Sequence, residues 1–577
     1  MEGIQDGKEP LLTKEAEMAS YEEEGREEGG LGKKVWVESK KLWRIAGPAI
    51  FSRLSMYGMN VASLSFAGHL GDVELAAMSI SNTVVVGFNF GLMEGGEEGE
   101  EGGLGERFWV ESKQQWAIVG PAIFSRLTMY ACNVVSLAFV GHVGDVELAA
   151  MSIANTVVVG FNFGLMLGMA SALETLSGQA FGARRYYMLG IYLQRSWIVL
   201  FLCAVLLLPM YIFATPILEL AGLSPDIAKT AGTVSLWLIP QHFSLVFQMP
   251  LTRFLQCQLK NAVTAWVAGI TLVIHVFICW LFIYKLDLGL FAAAMTMNFS
   301  WWLTVFALFA YTACGGCPLS WGGFSMQAFS GLWDFLKLSA ASGVMLCLEN
   351  WYYRILIMLA GYMSNAEVAV DALSICMNLN GWQMMIPLAF FAATGVRVAN
   401  ELGAGNGKAA RFSTVVSVVT STAIGIVFFA LVLGFHDKFA LIFTSSEVVL
   451  KAVDKLSVLL ALTILLNSVQ PILSGVAVGS GWQAYVAYIN VGCYYLIGLP
   501  GGVLMAILFH FGIAGIWSGM IGGTLIQTLI LAAITVRCDW DKEAENAGIR
   551  LNKYGAGSNP SQNRSLLSDD KTYCGKV

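Results

Sequence analysis

Charge is scarce in this chain. Only 13% of its 577 residues are Asp, Glu, Lys or Arg, about half the share usual in soluble domains, and that excludes a soluble globular fold. A basic face is also missing: the formal net charge is -6, with acid gathered in Glu15 to Glu28 and Glu94 to Glu101, so nothing indicates nucleic-acid binding. The first residues, MEGIQDGKEPLLTKEAEMASYEEEGREE, contain no apolar stretch of the kind a cleavable secretory signal needs, which leaves the first hydrophobic helix as the insertion signal. HExxH, clustered His/Asp ligands and a GxSxG elbow are lacking, and no enzymatic chemistry or cofactor is expected. The eleven cysteines lie mostly in apolar runs, as small hydrophobes do. Cys314 and Cys317 in CGGC lack the second ligand pair of a zinc site and read as a loop turn. His69 and His142, in the repeated GHxGD, have no ligand partner at metal spacing, so no metal site is expected.

What the chain has in quantity is apolar length. With 56% hydrophobic residues and a mean hydropathy of +0.64, it reads as a polytopic α-helical membrane protein, because its runs are long enough for spanning helices rather than ~10-residue barrel strands. Twelve spans are expected, at 116–139, 147–172, 194–217, 231–254, 261–285, 288–312, 336–360, 368–393, 412–434, 450–474, 484–509 and 512–536. A cytoplasmic N-terminus puts Arg184, Arg185, Lys260, Lys337, Arg397, Lys408, Arg411, Arg537 and Lys542 on the inner side, in accord with the positive-inside bias. Lys438, Lys451 and Lys455 run against it, accompanied by Asp437 and Asp454.

The amino-terminal region carries a duplication. Gly29 to Met93 recurs as Gly102 to Met166, with roughly 50 of about 65 positions identical, too similar for an old structural repeat and too few copies for a solenoid. The first copy stops at EGGEEGEEGG, which cannot sit in hydrocarbon, whereas the second runs directly into the next span. The organisation expected is therefore an acidic, disordered segment at 1–32, an extra helix hairpin at 33–93, and a Gly/Glu linker at 94–105. A six-helix lobe at 106–314, an inter-lobe loop at 315–332, a second six-helix lobe at 333–537 and a tail at 538–577 follow. Spaced glycines support the division: ETLSGQAFGARR closes the second span and ANELGAGNGKAAR the eighth, with Gly178 and Gly182 answering Gly403 and Gly407. Lobes repeated in this way bind substrate between them near mid-membrane.

Within the span at 336–360, Glu349 is a carboxylate where charge costs a few kcal/mol or more unless it faces a polar interior, finds a partner or takes a proton. It is either a functional group or a structural carboxyl bonded to a neighbouring helix. Arg354 lies on another face of the same helix, so an ion pair between the two is unfavourable. Trp351, Tyr352, Tyr353, Trp382, Met384, Met385, Tyr494 and Tyr495 can stack on planar rings or cations, or else pack against lipid. Glu174 and Gln179 end the second span, where they either close one lobe on the other or cap the helix.

Five stretches together carry a resemblance: GMASALETLSGQAFGA at 168–183, MLGIYLQRSWIVL at 188–200, MLCLENWYY at 345–353, VRVANELGAGN at 396–406 and VQPILSGVAVGSGWQ at 469–483. From about Trp116 to Asp541 the chain resembles the plant-type multidrug and toxic compound extrusion (MATE) transporters, the DETOXIFICATION proteins. The resemblance implies an all-α fold of twelve helices in two six-helix lobes, to which the duplication adds its hairpin. It also implies export of organic solutes in exchange for protons or sodium. Glu349 matches the family's proton-coupling carboxylate. A partner aspartate found in some plant members is replaced here by Asn467, which can hydrogen-bond a protonated Glu349 but cannot exchange a proton. Asp371 could take that role or be structural, with Asn378 and Asn380 lining the same cavity.

The mechanism this points to is protonation of Glu349 in a dry pocket, biasing two lobe arrangements by a few kcal/mol. The expected partners are a small organic solute, protons and the lipid bilayer, with the chain a monomer. A passive channel is the rival, disfavoured by the lack of a continuous polar stripe, and a transporter inactivated by its duplication is another. EPLL at Glu9 to Leu12 is too short to decide between vacuolar and plasma membrane.

Overall fold

The computed structural model describes residues 104–555, apart from 221–222, 361–365, 437 and 439–446. The expected hairpin at 33–93, nearly all of the Gly/Glu linker, the acidic opening segment and residues 556–577 lie outside them, as do the side chains of Arg354 and Asp371.

The regular elements among the described residues are all helices, without a strand. Helix α1 is Leu104–Val140. Helix α2 covers 145–182, its two α-helical parts joined by one π-helical stretch, Ala154–Val159. Helix α3 is Tyr186–Ile212, and α4 consists of Pro225–Trp237 and Ile239–Cys257. Helix α5 is Asn261–Cys279, prolonged by Trp280–Lys285, and α6 is Gly289–Tyr311. The second half comprises α7 (Leu332–Ala360), α8 (Ala366–Gly403), α9 (Gly407–Gly434), α10 (Glu447–Asn467 and Gln470–Ser480), α11 (483–508) and α12 (Gly512–Arg537). Nine helices among the described residues are long and apolar enough to cross a membrane. Helices α4, α7 and α10 occupy the other three expected positions, their apolar runs interrupted by breaks or by charged and polar residues.

The breaks in α4 and α10 have one cause. Proline lacks an N–H and its ring displaces the preceding turn, and Pro240 and Pro471 each stand at the start of a second helical piece. Backbone groups released inside a membrane must find other partners. Asn298 of α6 supplies them for α4: its Nδ2 donates to the Trp237 carbonyl at 2.7 Å and its Oδ1 accepts from the Gln241 N–H at 2.9 Å. For α10, Ser421 of α9 donates to the Ser468 carbonyl at 2.7 Å. Apolar spans read as continuous in sequence are thus two rods with a polar joint.

Each half has its own core. Leu173, Leu176, Tyr192, Leu193, Phe254 and Trp301 centre the first; Tyr352, Leu373, Leu460, Tyr494 and Trp517 centre the second.

The tail expected beyond 538 contains a further helix, α13, Trp540–Gly555. Trp540, Ala544, Ala547 and Leu551 are buried at helical spacing, so one apolar stripe docks while the opposite face stays polar. Trp540, Ala544 and Ala547 pack on Val398, Leu402, Ala410 and Val476 of the second half. Leu551 joins the core of the first half, and Arg195 of α3 donates to the Tyr554 carbonyl at 2.9 Å. Truncating Trp540→Ala should cost about 3 kcal/mol, as for other buried large aromatics, and Glu545→Ala on the exposed face less than about 0.5 kcal/mol. Thermal unfolding of the purified chain in detergent measures both.

Candidate functional site: an intramembrane carboxyl and the contacts that close one end

Glu349 lies midway along α7 and is half-buried. Its Oε1 accepts from Gln470 Nε2 at 3.0 Å and Ser474 Oγ at 3.2 Å, both on α10, and from Asn490 Nδ2 of α11 at 3.4 Å. Gln527 of α12 donates to Asn490 Oδ1 at 3.0 Å, so four helices of the second half meet at one carboxyl. Among the described residues Oε2 takes no hydrogen bond. The arrangement suits either protonation state: three donors can stabilise a carboxylate on Oε1, and Oε2 is available to hold a proton.

Around this centre the sequence-predicted residues part company. Asn467 is able to bond a protonated Glu349 but does not do so here. Instead its Oδ1 accepts from the Tyr353 hydroxyl at 2.9 Å and its Nδ2 donates to Asn380 Oδ1 at 3.1 Å, a second chain of polar groups one helical turn away. Tyr353, Asn467 and Thr524 line a small cavity there together with Trp517. Tyr352, expected beside the substrate, is wholly buried. It stacks on Tyr494 with ring centres 4.3 Å apart, and its hydroxyl donates to the Met520 carbonyl at 2.9 Å; three residues beyond Glu349, it faces the core of the second half. Asn380 is buried, whereas Asn378 is exposed. Trp382 is 46% exposed and sets its ring edge against Tyr130 of α1, 5.2 Å away. Trp351 stacks on Phe161 of α2 at 5.0 Å. These last two pairs join the halves through aromatic rings that keep an open face. Asp371 belongs to α8, with its side chain outside the described residues.

Glu174 and Gln179 stand at the other end of the interface. Glu174 is fully buried and pairs with Arg253 of α4, Oε2 to Nη1 2.8 Å. Gln179 donates to the Gly479 carbonyl at 3.0 Å and Thr175 to the Val478 carbonyl at 2.6 Å, so the end of α2 is bonded to the second piece of α10. Three of the four spaced glycines meet here, while Gly407 packs on the Trp540 backbone of α13 instead. A Cβ at Gly178 would come 2.6 Å from that of Ala399, one at Gly182 would strike the Asn400 carbonyl, and one at Gly403 would strike the Gln179 carbonyl. Glycines thus let α2 and α8 cross backbone to backbone where each gives way to its basic loop. Beside the crossing, Arg397 of α8 grips Glu111 of α1 with two bonds, 3.1 and 2.8 Å.

Gln470, Ser474, Asn490, Gln527 and Arg253 were not singled out in the sequence. A lone amide in an apolar span, as at Asn490 and Gln527, is a usable signal, because a polar side chain in lipid needs a partner. Which partner it finds depends on how helices far apart in the chain pack.

Two helical halves, packed on each other through α1, α2, α7 and α8 and carrying an intramembrane carboxyl, define a multi-pass membrane transporter built from two lobes. The MatE family model matches residues 121–281 and 341–504, and the chain belongs to that family; its members are transporters, not enzymes. Protein DETOXIFICATION 27 of Arabidopsis thaliana is 63% identical over 459 residues, 79% of this chain and 94% of that protein. Protein DETOXIFICATION 26 of the same plant is 62% identical over 456 residues, 79% and 93% of the two chains. Among solved structures, that of the eukaryotic MATE transporter AtDTX14 is 35% identical with a TM-score of 0.74, covering 77% of this chain and 99% of that one. The Vibrio cholerae MATE transporter VcmN, in its bent form, shares the fold at 18% identity, with a TM-score of 0.64 and coverage of 78% and 99%.

Proposed function

We propose that this transporter exports organic solutes in exchange for protons, with Glu349 as the group that takes up and releases the proton. The observation that carries the reading is the bonding of Glu349: three neutral donors converge on one oxygen and none on the other. No described cation forms an ion pair with it. A carboxyl so placed gains or loses a proton without breaking a salt bridge, and the change alters the bonds that hold α7, α10 and α11 together. A shift of a few kcal/mol in those bonds is enough to reverse which lobe arrangement dominates.

In this reading Asn380, Asn467 and Tyr353 form the polar lining next to the coupling group, and Asp371 is a second candidate carboxyl on α8. Gln179 and Glu174 act at the closing contact between lobes. The solute lies between the halves, where Trp382 and Trp351 offer aromatic faces. The chain works as a monomer in the vacuolar or plasma membrane.

Sealed vesicles containing the purified chain test the exchange. With a pH difference imposed, an aromatic solute should accumulate above its outside concentration and leak back when a protonophore is added. Equilibration without accumulation would mean a channel, and accumulation driven by a sodium gradient alone would replace the proton as the coupling ion.

A further inference from the structure

The first half contains a charge imbalance that the coupling carboxyl does not touch. Glu174 and Arg253 form a close pair, their side chains 0% and 4% exposed. Arg126 of α1 is near enough to interact electrostatically with both, and among the described residues it makes no close ion pair and no hydrogen bond. Two guanidiniums and one carboxylate leave a net positive charge beside a buried ion pair, which an anion would complete.

The direction in which Arg126 faces follows from its own helix. Residues four apart share a face. Ala122, one turn before, packs with Ala389, Phe390 and Ala393 of α8, and Tyr130, one turn after, meets Trp382 of α8. Arg126 therefore stands on the stripe of α1 turned toward the other lobe. It is half-buried rather than sealed. On the side of the crossing it is backed by Glu174, against which Gly395 of α8 packs; on the other, Tyr130 and Trp382 are 38% and 46% exposed. A half-buried guanidinium with partly exposed aromatic rings one helical turn away is an arrangement for a ring bearing an acid group.

We propose that Arg126 is an anion-binding residue on the face of α1 turned toward α8, between the lobes, and that the solutes carried include planar aromatic carboxylates. The carboxylate pairs with the Arg126 guanidinium and the ring lies against Tyr130 and Trp382. This narrows the solute class of the proposed exporter and rests on that reading for transport, but binding can be measured without a proton gradient.

The experiment is equilibrium dialysis of the full chain in detergent with 2-naphthoate, 2-naphthamide and 2-naphthyl-trimethylammonium, which share a ring and differ in charge. The wild type should bind naphthoate at least about tenfold more tightly than naphthamide, as expected of a partly desolvated charge-assisted contact, and the ammonium probe most weakly. In Arg126→Gln the naphthoate preference should fall to within about twofold, with naphthamide binding unchanged as the sign that the site is still folded; Arg126→Lys should keep part of the preference. Glu349→Gln should leave it intact, so a failure of proton coupling and a failure of this site are told apart. Absence of naphthoate binding, equal binding of the acid and the amide by the wild type, or an undiminished preference in Arg126→Gln would overturn the proposal.

Discussion

Replacing Glu349 by Gln is expected to lower export driven by a pH difference at least about tenfold, the consequence of losing ~1.4 kcal/mol or more of proton-linked bias between two conformations. The substitution is close to isosteric. Its carbonyl oxygen can still accept from Gln470, Ser474 and Asn490, which reach Oε1 at 3.0, 3.2 and 3.4 Å in the native chain. What it removes is the ability to become an anion, since an amide holds its protons across the whole physiological range. Solute binding and thermal stability should therefore survive while coupling does not. Glu349→Asp is the informative companion: the charge remains, but a shorter side chain cannot keep all three bonds at these distances, and intermediate activity is expected. The pH dependence separates the variants, because wild-type export should rise with the size of the imposed difference and export by Glu349→Gln should not respond to it. Full gradient-driven export by folded Glu349→Gln would remove the proposed mechanism.

Glu349 stood out in the sequence for the reason that makes it costly: one carboxylate in an apolar run needs a partner, a polar interior or a proton, whether its role is functional or structural. Its surroundings were not. Gln470 and Asn490 lie 121 and 141 positions away, and only the packing of α7 against α10 and α11 brings them within reach. Proximity along the chain misled at Tyr352, because three residues on a helix are enough to turn an aromatic ring from the polar centre to the Tyr494 stack. Helix α13 was hidden by its composition. Its buried stripe of Trp540, Ala544, Ala547 and Leu551 is too narrow to raise the local hydropathy, so a docking helix reads as a polar tail. The breaks at Pro240 and Pro471 were visible as letters, yet proline in a membrane helix is compatible with continuity or with a break. The side chains of Asn298 and Ser421 decide the outcome by accepting or donating where the backbone cannot. The repeated glycine spacing was legible as a similarity between halves, but the meeting of the two motifs is a property of the folded chain.

That meeting supports the second large effect. Gly182→Val should abolish transport while leaving a folded protein, because its Cβ would land on the main-chain carbonyl of Asn400. Backbone cannot move aside as the end of a flexible side chain can, and close-packed helices do not deform continuously. The variant is thus barred from the arrangement in which α2 and α8 cross, and a transporter that cannot close one end cannot complete a cycle of alternating access. Gly403→Val meets the Gln179 carbonyl from the opposite side and should give the same result, whereas Gly405→Ala, where a Cβ has open space but the backbone is left-handed at φ 78°, should cost about 1 kcal/mol of stability and keep the cycle. Cys257 reports the difference. It is fully buried next to the crossing, with its thiol 3.5 Å from the Glu174 carbonyl. In a background where it is the sole cysteine, a water-soluble thiol reagent should react slowly with the native glycines and at least about tenfold faster in Gly182→Val, in proportion to the population of open protein. Unchanged labelling together with normal export would mean that the helices pass one another by a route in which the glycine crossing plays no part.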